Sequence, residues 1–344
     1  MSTPLSQLTT MGVGGLPERL RVADTLENLV SEALEMWRET DEWLVLGGGS
    51  NLVIADEVDS LQVLKVANKG VRSDELGNGK FRLWVQAGEN WDDLVAGTVA
   101  AGLAGLEALS GIPGCVGAAP IQNIGAYGAE VSSVITRVEF LDYFTGELEV
   151  IEAGDLAFGY RDSIFKNGKT GVVTMVEFVL ENLGGKSKPI AFPQLATALG
   201  VNLGDQVPLA EVRDSVLKLR AAKGMVFAAD DADTHGCGSF FTNPVVTERH
   251  ARTLPSDAPR FEVDGTDGHM VKLSAAWLIE HAGIPKGFRL GSSHASTSTK
   301  HSLAITNRGG ASAQEVLQLA EFIQIRVANQ FGVNLRPEPS LIGF

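Results

Sequence analysis

LVLGGGSNLVIAD, residues 44–56, carries the reading of the fold. An apolar run that reads as a buried strand breaks into Gly47, Gly48 and Gly49, passes Ser50 and Asn51, and resumes as a second short strand. Three consecutive glycines weaken any helix or strand they enter, so they serve a backbone purpose. Two purposes are open: a tight turn without a ligand, or a loop whose N–H groups surround an anion. A dinucleotide fingerprint is excluded, because Leu52 stands where its third glycine belongs and a strand follows instead of a helix. A Walker A loop is excluded by the missing lysine.

A second loop, GLEALSGIPGCVGAAPIQNIGAYGAEV at 105–131, favours the ligand reading. It is too rich in glycine for a helix and too apolar for a disordered linker. A loop of this length inside a compact domain is usually functional. Two such loops suggest one extended ligand with a pyrophosphate.

Around them the chain alternates elements of an α+β fold. Leu26, Leu29, Val30, Ala33, Leu34 and Trp37 form one helical stripe over 24–37, which Asp24 or Thr25 can cap. EWLVLG, NLVIA and LQVLKV read as strands and complete a small unit up to about residue 70. KFRLWVQAG and GVVTMVEFVLENL read as strands, WDDLVAGTVAAG as a helix, and residues 134–153 as two strands turning at Thr145–Gly146. PLAEVRDSVLKLRAAKG reads as a helix with Pro208 in its first turn and Gly224 at its end. An irregular stretch, 225–238, opens a third region with a helix closed by Gly283, a strand SLAITN, and a long helix from Ser312 to Phe331. Ser312 and Glu315 form an S-x-x-E capping box there.

Bulk properties narrow the function. The 344 residues are 44% hydrophobic and 20% charged, ordinary for a soluble globular protein. The formal net charge of -14 argues against a nucleic-acid binder, so an anionic ligand must be held by a few local cations and by backbone amides. The six histidines lack metal-ligand spacing, and no metal site is expected. The start of the chain lacks the basic and apolar parts of a secretory signal, and no apolar run is long enough to span a membrane. Two cysteines without a C-x-x-C suit a reducing cytoplasm, with both thiols buried and free.

Six motifs then occur in a specific order: LGGGSN, GIPGCVGAAPIQNIGAYG, GYRDSIFK, GCGSFFTNP, AAWLIEHAG and RPEPSLIGF. Over nearly the whole chain this resembles the UDP-N-acetylenolpyruvoylglucosamine reductase family, in its type I form. The resemblance implies an α+β fold with a two-part FAD-binding region of the vanillyl-alcohol oxidase type and a third domain for a UDP-sugar. It implies subdomains over 1–70 and 71–222, a substrate domain over 223–331, and a tail over 332–344 that returns to the first. The implied activity is reduction of the enolpyruvyl ether of UDP-N-acetylglucosamine with NADPH, an early cytoplasmic step of peptidoglycan synthesis. A monomer without nucleic-acid or membrane partners is expected.

The resemblance assigns non-covalent FAD to Gly47, Gly48, Gly49, Ser50, Asn51, Ser110, Pro113, Gly114, Gly117, Ala118, Gln122, Asn123, Gly125 and Ala126. It matches Ser239 to the proton donor, Arg161 to the group gripping the enolpyruvyl carboxylate, and Glu338 to a carboxyl near the developing charge. A raised pKa from burial and a carboxylate-rich neighbourhood is expected of Glu338. Tyr160, Lys223, Asn243 and His301 match substrate contacts, with Lys223 suited to a diphosphate. Taken singly, each residue has a plainer reading: Ser239 a turn serine, Arg161 a partner of Asp155 or Asp162, Tyr160 a half-buried aromatic. Phe192 departs from the family, whose type I members often carry a tyrosine there that reaches the UDP diphosphate. Two other functions compete: a flavin-dependent sugar or alcohol oxidase, and a non-catalytic sugar-nucleotide sensor. Retention of Arg161 and Ser239 argues against the first, and retention of Ser239 and Glu338 against the second.

Overall fold

A computed structural model describes residues 3–263 and 269–344. Its first sheet is parallel and has three strands, Arg19–Ala23, Gln62–Val66 and Trp43–Leu46, with Gln62–Val66 in the middle. Parallel neighbours need a crossover, and the helix Leu26–Glu39 supplies it. Thr25 caps this helix, its hydroxyl accepting from the Asn28 amide at 3.1 Å. Asp24 instead accepts from the Asn28 side chain at 2.9 Å.

The second sheet is antiparallel and runs Leu148–Glu152, Ile135–Asp142, Gly171–Asn182, Lys80–Gln86, Val71–Gly77, with Leu103–Ala104 pairing at the far end of its long central strand. Leu29, Ala33 and Met36 join Leu83, Val85, Phe140 and Phe178 in one hydrophobic cluster, so the first helix is packed on by both sheets. The helix Leu209–Ala222 starts with Pro208 at its N-cap rather than inside its first turn. A short helix, Pro193–Leu199, packs against it. The sequence reading has no counterpart for it, because seven residues leave little room for a periodic signal.

The third region has its own cluster, built on the helices Ala275–His281 and Ala313–Phe331. The long helix carries the complete capping box of Ser312 and Glu315. Its first amide also donates to the Asp56 carboxylate at 3.0–3.1 Å, which ties it to the start of the chain. Met11, Val13 and Val53 enter the same cluster. Ser340–Ile342 pairs in parallel with Leu52–Ile54, bringing the last residues beside the glycine loop. Both cysteines are buried and free. Among the described residues no helix is long and apolar enough to cross a membrane.

Met36 is fully buried between the two sheets. Met36→Ala is expected to lower unfolding free energy by about 2–5 kcal/mol, read from urea denaturation of the holoprotein.

Candidate active site

The three glycines are needed because two loops meet backbone to backbone. A Cβ on Gly48 would collide with the Gly114 Cα, and one on Gly47 would stand 2.6 Å from the Cys115 sulfur. Gly49 has a φ of +65°, and a Cβ there would collide with the Leu8 carbonyl oxygen. The Ser50 hydroxyl donates to the Pro113 carbonyl at 3.0 Å. The Asn51 side chain donates to Gln122 Oε1 at 2.7 Å and to the Glu338 carbonyl at 3.3 Å. The Ser50 and Asn51 side chains thus bind the second loop and the tail.

Together the loops form one side of a cavity of about 850 Å³. Gly47, Gly48, Gly49, Ser50 and Asn51 line it from the first loop; Pro113, Gly114, Gly117, Ala118, Gln122, Gly125 and Ala126 line it from the second. Arg161, Lys223, Ser239, Asn243, His301 and Glu338 line the same cavity.

Three expected site residues lie off this wall. Ser110 is fully buried, and its hydroxyl closes a turn onto the Glu107 carbonyl at 2.7 Å. Asn123 is buried too: its amide donates to Glu130 at 2.9 Å and to the Gly159 carbonyl at 3.0 Å, while its Oδ1 accepts from the Ser132 amide. Its polar atoms are therefore spent on protein, and its carbonyl helps hold Arg161. Tyr160 is 45% exposed and sits between the Arg161 guanidinium at 5.4 Å and the Lys272 ammonium at 4.7 Å.

Arg161 and Glu338 are paired, Nε to Oε1, at 3.3 Å. The partner of Arg161 is thus neither Asp155 nor Asp162. Two further donors of its guanidinium reach the Asn123 and Gly125 carbonyls at 3.3 and 2.6 Å, which fixes the plane of the group. Burial pushes the Glu338 carboxyl above its ordinary value, against the pull of Arg161 and Lys166. Its neighbourhood is therefore cationic, not carboxylate-rich as expected, and desolvation alone supplies the upward shift. The Ser239 hydroxyl has no hydrogen-bond partner among the described residues. The Asn243 side-chain Oδ1 accepts from the Ala275 amide at 3.0 Å. Burial, with the nearby Lys223 and Lys286 charges, holds His301 down at about 4, so the imidazole is neutral at neutral pH.

Sequence comparison agrees with this geometry. Residues 17–152 match the family model described as an FAD binding domain, and residues 230–342 match that of the UDP-N-acetylenolpyruvoylglucosamine reductase C-terminal domain. The UDP-N-acetylenolpyruvoylglucosamine reductase of Leifsonia xyli subsp. xyli is 50% identical, over 98% of this chain and 98% of that protein. That of Thermobifida fusca is 46% identical, over 99% and 97%. The chain belongs to the UDP-N-acetylenolpyruvoylglucosamine reductase family. The crystal structure of the family's enzyme from Thermus caldophilus superposes with a TM-score of 0.65 at 28% identity, covering 99% of this chain and 98% of that one.

As a member of this reductase family the chain is an oxidoreductase with FAD as its cofactor. The cavity suits a dinucleotide with a pyrophosphate. Its wall carries four cationic side chains, Arg161, Lys166, Arg220 and Lys223, against one carboxylate, Glu338, among the described residues. Arg220 was missed in the sequence reading. Its Nε is buried without a hydrogen-bond partner, while Nη2 donates to the Met225 carbonyl at 2.9 Å. A buried cationic donor left unpaired is costly, and an anionic ligand relieves it. The available signal was its place three residues before Lys223 at the end of one helix, a spacing that puts both on one side. Phe192 lies on the wall with its ring edge-on to Tyr127 at 5.8 Å.

Gly48→Ala is expected to force the two loops apart and weaken FAD retention at least about ten-fold, measured by flavin fluorescence titration. Gly97→Ala, in open space on the helix Trp91–Ala100, is expected to leave FAD affinity unchanged.

Proposed function

We propose that this flavoenzyme of peptidoglycan precursor synthesis reduces UDP-N-acetylglucosamine enolpyruvate to UDP-N-acetylmuramate with NADPH, with Ser239, Arg161 and Glu338 acting on the enolpyruvyl group. The observation that carries the reading is the Arg161–Glu338 pair on the cavity wall. A guanidinium that already holds a carboxylate there, and is oriented by two backbone carbonyls, is built to take the substrate's carboxylate as well. FAD, which the glycine-rich loops at 47–51 and 113–126 would hold, would supply the hydride chemistry between NADPH and the enolpyruvyl group.

The remaining work falls to the chain. Hydride addition leaves negative charge on the carbon beside the carboxylate, delocalised onto the carboxylate oxygens. Arg161 stabilises that charge. A substrate carboxylate arriving at Arg161 adds a second anion beside Glu338, which favours protonation of Glu338 and lets it donate a hydrogen bond to the enol form. Ser239 gives its hydroxyl proton to the carbon, and the alkoxide left behind takes a proton back from solvent water; a hydroxyl is a weak acid, but an enolate carbon is a strong enough base to take its proton. Lys223 and Arg220 offset the diphosphate charge that an acidic protein must otherwise repel. Tyr160, Asn243 and His301 are assigned to the UDP-sugar, with subdomain limits at residues 70, 222 and 331 and a cytoplasmic location as part of the same reading.

The test is anaerobic NADPH oxidation with and without the enolpyruvate. Turnover only with the enolpyruvate supports the reductase. A yellow protein that ignores it and consumes oxygen supports the oxidase, and a colourless one that binds UDP-sugar supports the sensor.

Ser239→Ala is expected to leave flavin reduction by NADPH near normal and to slow flavin reoxidation by the enolpyruvate by about 10²–10⁴-fold in stopped flow. Equal slowing of both halves would remove Ser239 from proton transfer.

The raised pKa of Glu338 keeps its neutral form populated to higher pH than in an ordinary carboxyl. Its neutral fraction falls as pH rises, so the reoxidation rate is expected to fall with it. In Glu338→Gln that dependence is expected to vanish and the rate to be low throughout; wild-type rates in this variant would exclude the residue.

A further inference from the structure

We propose that Thr10 is a positioning residue that sets the Ser239 bend against the glycine loop. The inference rests on the reading that Ser239 delivers the proton. Thr10 lies on the cavity wall and touches both sides of the site within one residue. Its backbone N–H donates to the Gly49 carbonyl at 3.1 Å. Its hydroxyl donates to the Gly236 carbonyl at 2.7 Å. Gly49 closes the triple glycine, and Gly236 opens the bend Gly236–Ser239.

The bend has few other supports. Gly238 has a φ of +68° with open space around it, and the Ser239 hydroxyl has no partner among the described residues. The bend is pinned after Ser239 by the Phe240 amide on the Leu303 carbonyl at 2.8 Å, and before it by Gly236 against Ile305–Thr306. These contacts hold it to its own region. Among the described residues two hydrogen bonds tie it to the first region: Cys237 Sγ on the Leu52 carbonyl at 3.3 Å, and the shorter bond from Thr10. A thiol is a weak donor, so Thr10 is the stronger link.

Thr10 is itself held rigidly. Asn307 donates to the Met11 and Gly12 carbonyls at 3.1 and 3.2 Å. Met11 and Val13 are buried in the core of the third region. The Thr9 hydroxyl closes the turn onto the Val13 carbonyl at 3.1 Å. A donor so fixed transmits the position of Gly49 to Gly236 without slack. Proton transfer to carbon is sensitive to donor placement, and a shift near 1 Å is enough to cost about 10²-fold.

Thr10→Val keeps the β-branched shape and removes the donor; Thr10→Ser keeps the donor. With flavin reduced by dithionite, Thr10→Val is expected to be reoxidised by the enolpyruvate about ten-fold more slowly, with a larger solvent deuterium isotope effect. FAD affinity, KM for the enolpyruvate and the NADPH half-reaction are expected to stay within about two-fold, and Thr10→Ser to restore the rate. A wild-type reoxidation rate in Thr10→Val overturns the proposal. So does parallel loss of FAD affinity and of both half-reactions, which marks a merely structural contact, and so does failure of serine to rescue. If Thr10→Val does not fold, the Thr10→Ala and Thr10→Ser pair makes the same comparison. The Ser239→Ala variant separates the two readings. Fast reoxidation there refutes the role of Ser239, whereas slow reoxidation there with fast reoxidation in Thr10→Val refutes only that of Thr10.

Discussion

The site depends on one close approach: the backbone of Gly47–Gly49 against that of Gly114–Cys115. No side chain fits between them at Gly48. Because the loops touch, Ser50 reaches Pro113 and Asn51 reaches Gln122. Because Asn51 also holds the Glu338 carbonyl, the tail is drawn onto the same loop and its strand pairs with Leu52–Ile54. The cavity is the space left on the other side of this contact. Glycine is therefore required here for packing, before any ligand is considered.

The electrostatics run opposite to the whole molecule. The net charge is -14, yet the cavity wall concentrates four cations around a single carboxylate among the described residues. Field focusing in a low-dielectric cleft lets such a local excess hold anions that the surface repels. The carboxylate is not surplus. Paired with Arg161 at 3.3 Å, it orients and partly neutralises the guanidinium. The cost is desolvation of a buried carboxyl, which pushes its pKa above the ordinary value against the pull of Arg161 and Lys166.

Legibility in the sequence follows the range of the interaction. The helix Ala313–Phe331 was readable because its capping box and apolar stripe are local. The first helix was readable for the same reason, with its ends displaced by two residues. Ser110 and Asn123 sit inside a motif that lines the cavity, yet burial and local partners turn their own polar atoms inward, which the motif alone does not reveal. Arg220 was missed because nothing in a helical sequence says that one arginine nitrogen will be buried without a partner.

The sequence alone determined the α+β class, most regular elements, the two glycine-rich loops and the residues able to do acid, base and anion chemistry. Six ordered motifs extended that to a family. Only the tertiary structure decided that Arg161 faces Glu338, that Asp56 meets the start of the helix Ala313–Phe331, and that Thr10 spans Gly49 and Gly236. The physical reason is chain separation. Propensity, capping and periodicity act within a few residues, whereas these contacts join segments brought together only by the burial of shared cores.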